Sequence, residues 1–111
     1  MTPNKVIETV DRLKPNAYSE EDKLRWINEL DGQVQSLVMQ NDKVFQYSYP
    51  EDMDKELLIP APFDNVYCLY LEANIDYHNR EYANYNNAAM MFEAQFSEYK
   101  KAYIREHRAK G

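Results

Sequence analysis

The longest regular pattern in the chain lies between residues 62 and 108. Apolar and aromatic residues recur there at alternating steps of three and four: Cys68, Leu71 and Ile75, then Tyr82, Tyr85, Ala89, Phe92, Phe96, Tyr99 and Tyr103. Such spacing is the seam of an amphipathic helix. His78 interrupts it, and Asn84, Asn86 and Asn87, residues that prefer caps and turns to helix interiors, crowd the same neighbourhood. An unbroken helix of this length would run ~70 Å, against a radius of gyration of ~13 Å for a compact domain. The stretch is therefore read as two antiparallel helices, about 62–82 and 87–108, hinged near Ala83 to Asn87. A single rod reaching toward another subunit is the alternative, and the seam's constant phase through the asparagines favours it.

Two shorter helices precede this stretch. Thr2 caps the first (3–14), with Pro3 at its first position and Val6, Ile7, Val10 and Leu13 on one face. Arg12 and Lys14 suit its last turn, and Pro15 ends it. Ser19, followed by Glu20, Glu21 and Asp22, starts the second helix (20–40), which turns Leu24, Ile27, Leu30, Val34, Leu37 and Val38 toward the core, with Trp26 beside them. Gly32 costs ~1 kcal/mol relative to Ala in mid-helix, which calls for a close helix approach or a kink. Residues 41–61 break the pattern. Val44, Gln46 and Ser48 alternate with Phe45, Tyr47 and Tyr49, a strand-like period of two that predicts an extended or hairpin-like arm against Leu57, Leu58 and Ile59. Pro60 and Pro62 stop the arm, and Asp64 favours the start of the next helix. The fold class expected is all-α: one domain of four helices with a long loop.

Composition supports that class. The chain has 111 residues, enough for one modest core, and its two glycines disfavour turn-rich sandwiches and phosphate-cradling loops. The net charge is −6, unevenly spread. Between residues 51 and 81, eight acids stand against Lys55 and Arg80, whereas the last twelve residues set Lys100, Lys101, Arg105, Arg108 and Lys110 against Glu106. Such asymmetry fits either head-to-tail association of copies or a solvated helix end whose cations complement the helix dipole. The single cysteine, Cys68, cannot close an internal disulfide and reads as a buried thiol in a reducing compartment. Neither a signal peptide nor a run of ~20 apolar residues is visible, so a cytoplasmic protein without membrane contact is expected.

Catalytic patterns are missing. Neither His78 nor His107 follows a Glu by three residues, zinc-type cysteine pairs are absent, and Cys68 has no base nearby in sequence. His78 reads as a half-buried structural histidine. No enzyme, metal or cofactor is expected, and the acidic balance opposes specific nucleic-acid binding. The ten tyrosines carry more information. Tyr82, Tyr85, Tyr99 and Tyr103 stand on the seam where a dry core carries Leu or Ile, and with Phe45, Tyr47 and Tyr49 of the arm they are the candidate partner or oligomer interface. An aromatic core with hydroxyls at its rim is the competing reading.

Three blocks, SEEDKLRWINELDG (19–32), LLIPAPFDNVYCLYLEANIDYHNRE (57–81) and YNNAAMMFEAQFSEY (85–99), resemble small head-tail connector, or adaptor, proteins of long-tailed phages and Firmicutes prophages. The resemblance implies a non-enzymatic helical subunit with a long loop between its second and third helices. About a dozen such subunits would form a ring between the portal protein and a neck or tail completion protein, in the host cytoplasm during assembly and then in the virion neck. On that reading Glu51, Asp52, Asp54 and Glu56 form an acidic loop facing the DNA channel. A helical protein-interaction module or regulator that forms no ring is the alternative.

Overall fold

The computed structural model describes residues 1–108, so the expectation placed on Lys110 lies outside the described residues. Four helices follow in order: α1 (Pro3–Leu13), α2 (Glu20–Gln33), α3 (Asn65–His78) and α4 (Tyr82–Arg108), with a π-helical turn, Val34–Val38, continuing α2. No strand forms among the described residues. The all-α, four-helix expectation therefore holds.

The first two helices start where their caps predict. The Thr2 hydroxyl accepts from the Lys5 N–H at 3.2 Å and the Ser19 hydroxyl from the Asp22 N–H at 3.1 Å, each satisfying an amide the helix leaves unpaired. Val6, Ile7 and Val10 of α1 join Leu24, Ile27, Leu30 and Val34 of the α2 stretch in one buried cluster with Val66, Leu71 and Ile75 of α3. Trp26 is buried with them. Two expected core residues are not: Leu13 and Leu37 are 64% and 72% exposed. Leu13 is the last residue of α1, beyond which Lys14 turns back to pair with Asp76 at 2.7 Å. That pair also relieves the like-charged Glu72 and Asp76 of α3. Leu37 is swung outward by the π turn, whose Met39 N–H reaches the Val34 carbonyl five residues back and so shifts the helical phase. Gly32 needs no special space: an added Cβ would meet Val44 Cγ1 at an ordinary 3.9 Å.

The long stretch does fold into two helices, but the break lies at residues 79–81, ahead of the asparagines. Arg80 adopts a left-handed conformation (φ 61°), with its N–H on the Tyr77 carbonyl and the Glu81 N–H on the Asp76 carbonyl. That is a Schellman closure, which stops α3 without a glycine. Tyr85 N–H bonds back to Glu81, so Asn84, Asn86 and Asn87 sit exposed within the first turns of α4. The helices then run antiparallel in strict register. Tyr77 meets Tyr85, Tyr70 meets Phe92 and Phe63 meets Tyr99, one aromatic contact every two turns. With 27 residues against 14, α4 outruns α3 and lays its second half beside the end of the loop.

Candidate functional site

The segment between α2 and α3 is ordered, though not as a hairpin. Its partner is a row of polar side chains on the α2 stretch at steps of three and four: Asn28, Asp31 and Gln35. The Asn28 amide accepts from the Tyr47 N–H at 2.8 Å and donates to the Tyr47 carbonyl at 3.0 Å. Gln35 does the same for Phe45, accepting at 3.0 Å and donating at 3.1 Å. Two side-chain amides thus stand where a neighbouring strand's backbone would, which satisfies the extended stretch without a sheet.

Between them lies Asp31, 1% exposed. Its carboxylate accepts from the Tyr47 hydroxyl at 2.7 Å, from the Tyr67 hydroxyl of α3 at 2.6 Å and, more weakly, from the Leu58 N–H at 3.4 Å. The Tyr67 oxygen in turn accepts from the Ile59 N–H at 2.9 Å. Burial raises the Asp31 carboxyl above the ordinary aspartate range, and the three hydrogen bonds oppose that rise. Burial and the adjacent carboxylate push both phenols far above the ordinary tyrosine range, so they remain donors. One acid therefore ties α2, α3 and both ends of the loop together. Among the described residues no buried side-chain polar atom lacks a partner.

The far end of the loop is pinned to α1. The Asn4 N–H donates to the Met53 carbonyl and the Leu57 N–H to the Met1 carbonyl, both at 2.9 Å. Three of the four candidate channel acids have local partners. Asp52 accepts from the Ser48 N–H at 2.7 Å, Asp54 from the Asn4 side chain at 2.8 Å, and Glu56 pairs with the Met1 amine. Glu51 is exposed and makes no hydrogen bond or ion pair among the described residues.

The seven aromatic interface candidates separate by burial. Tyr47 and Tyr99, both 4% exposed, belong to the core, which corrects their placement at an interface. Tyr47 is spent on Asp31. Tyr99 stacks on Phe96 and meets Tyr103 and Phe63 at tilted angles, and burial, then the neighbouring Tyr103, pushes its phenol up to about 12. Tyr85 and Tyr103 are half-buried, Tyr103 lying flat on His107 at 3.8 Å. Phe45, Tyr49 and Tyr82 are exposed, and only the first two sit together on the loop. The shared-face reading of Phe45, Tyr47 and Tyr49 fails because the amides grip the backbone while the Tyr47 ring alone turns inward.

His78 is exposed and not half-buried, with its ring stacked on Trp26 at 5.7 Å. Cys68 is buried, and desolvation, reinforced by Glu72 and Asp64, pushes its thiol up to about 11, away from nucleophilic use. Among the described residues no three His, Cys, Asp or Glu side chains are grouped to hold a metal ion, and no helix is long and apolar enough to cross a membrane. The polar row Asn28, Asp31 and Gln35 went unnoticed in the sequence, although its helical spacing beside the apolar stripe is legible there. No family model, curated protein or solved structure matches the chain.

Proposed function

We propose that the protein is a structural, non-enzymatic assembly subunit of the phage head-tail connector kind, forming a ring of about a dozen copies between a portal protein and a neck or tail completion protein. The observation that supports the reading is the docked loop. The segment between the π turn and α3 is gripped by Asn28, Asp31 and Gln35, whose polar groups are spent on holding its shape. What the grip presents is a rigid outer edge bearing Phe45 and Tyr49, 50% and 40% exposed, beside the acid Glu51. A pre-ordered edge binds without the entropic cost of ordering a flexible loop. If that edge lines a channel, Glu51 and Asp54 are the acids of the four that no cation neutralises among the described residues, and they repel DNA phosphates.

A second reading, an interaction module that uses the same edge on one partner and forms no ring, is favoured by the small size of the aromatic pair. Native mass measured with and without a purified portal ring separates the two. A closed species near twelve copies, templated by the portal, is expected, and Phe45→Ser with Tyr49→Ser should abolish it while circular dichroism stays unchanged. A chain that never exceeds two copies, even on the portal, overturns the connector reading.

A further inference from the structure

Helix α4 carries a second seam, on the side opposite the one it packs on α3. From Asn87 to Ile104 this outer row again runs at steps of three and four, and every side chain in it is exposed except Ser97, which is half-buried. Met90 is 71% and Ile104 52% exposed. The row's centre, Ala94 and Ser97, is small, which allows close backbone approach. A helix of 27 residues, ~40 Å long, thus presents two faces suited to helix pairing and uses one.

From this second row we infer that the outer face of α4 binds the same face of a second copy, antiparallel, about a two-fold axis between Ala94 and Ser97. Charge selects both occupant and direction. In this register Ala94 lies against Ser97 of the second copy, Met90 against the stem of its Lys101, and Asn87 against its Ile104. The flanking Glu93 then faces Lys100 of the second copy, and the symmetry makes this ion pair twice. A parallel pairing would set Glu93 against Glu98 and Lys100 against Arg105, repelling at both flanks. The contact is isologous and closes at two copies. It uses neither the loop edge nor a head-to-tail surface, and it does not depend on the connector reading.

Sedimentation equilibrium and native mass across a concentration series, at low and high salt, test it. Wild type should show a monomer–dimer equilibrium that weakens with salt. Glu93→Lys and Lys100→Glu should each raise the dimer Kd by about tenfold or more, since each reverses two ion pairs worth ~0.2–1 kcal/mol apiece. The double exchange Glu93→Lys with Lys100→Glu should return it near the wild-type value. Glu93 and Lys100 are both exposed, so circular dichroism should not change. Three results would overturn the inference: a wild type monomeric to ~1 mM, a dimer indifferent to the reversals, or a dimer tightened by Glu93→Lys, which is the signature of the parallel form. None of these depends on whether a ring forms on a portal.

Discussion

Replacing Asp31 with Ala tests the physical claim on which the shape of the loop rests. The substitution leaves the Tyr47 and Tyr67 hydroxyls, both buried donors, without the acceptor they meet at 2.7 and 2.6 Å. Each buried donor left unpaired costs ~1–3 kcal/mol, while the Leu58 contact at 3.4 Å is too long to add much. Relief of the buried charge and entry of water offset part of this, so a net loss of ~3 kcal/mol is expected. At ~2.1 cal/mol/K of unfolding entropy per residue, that lowers Tm by ~13 °C for a chain of this size. Urea unfolding followed by Trp26 fluorescence measures the global loss, and amide exchange at Leu58 and Ile59 reports release of the loop. The pH dependence has a definite sign. A carboxyl raised above its ordinary 3.8 in the fold contributes stability that is complete below 3.8 and lost as pH rises through the folded value. The advantage of wild type over Asp31→Asn should therefore grow as pH falls from neutral toward 4. A loss under ~1 kcal/mol for Asp31→Ala refutes the latch, whereas an advantage that shrinks on acidification refutes the raised carboxyl and leaves the hydrogen bonds standing.

Further substitutions probe three other joints of the fold. Arg80→Gly should stabilise by ~1 kcal/mol in chemical denaturation, because the left-handed φ of 61° penalises any residue with a Cβ. Lys14→Met should cost ~3–5 kcal/mol by stranding Asp76, 1% exposed, and the double variant Lys14→Met with Asp76→Leu should recover most of it. Tyr99→Ser should lower stability by ~3–5 kcal/mol, whereas the half-buried Tyr103→Ser should lose less than half as much; equal losses would return Tyr99 to the rim.

What was legible in the sequence was what helical periodicity and caps encode. Thr2 and Ser19 mark starts because their hydroxyls have local amides to satisfy, and the apolar stripes of α1 and α2 announce their buried faces. The elbow was misplaced by a few residues because its cause is a backbone state. Nothing in the letters Asn79, Arg80 and Glu81 distinguishes a left-handed arginine from a helical one, while the three asparagines downstream carry a turn preference that α4 overrides. The loop failed differently. Its period of two did report extended backbone, but the assumption that extended backbone needs a strand beside it hid the side-chain amides that take that role. Leu37 was misjudged because a single π turn changes the phase of every later residue on the stripe.

The same π turn explains how so long a connection stays ordered. Gln35 serves twice: its carbonyl accepts the Asn41 N–H at 2.8 Å, closing the widened helix end, and its amide grips Phe45. A regular α-helical end would close over a shorter span of chain. Here the wider closure, with Gln40 left-handed at φ 57°, sends the chain back along α2. Five residues later Phe45 is beside Gln35, and two beyond it Tyr47 is beside Asn28 and Asp31. Each grip shortens the free chain that the next must close, so the entropic cost of a long loop falls in steps. Phe45 and Tyr49 then flank the inward-turned Tyr47 as exposed side chains on a backbone with little freedom, the condition a binding edge requires.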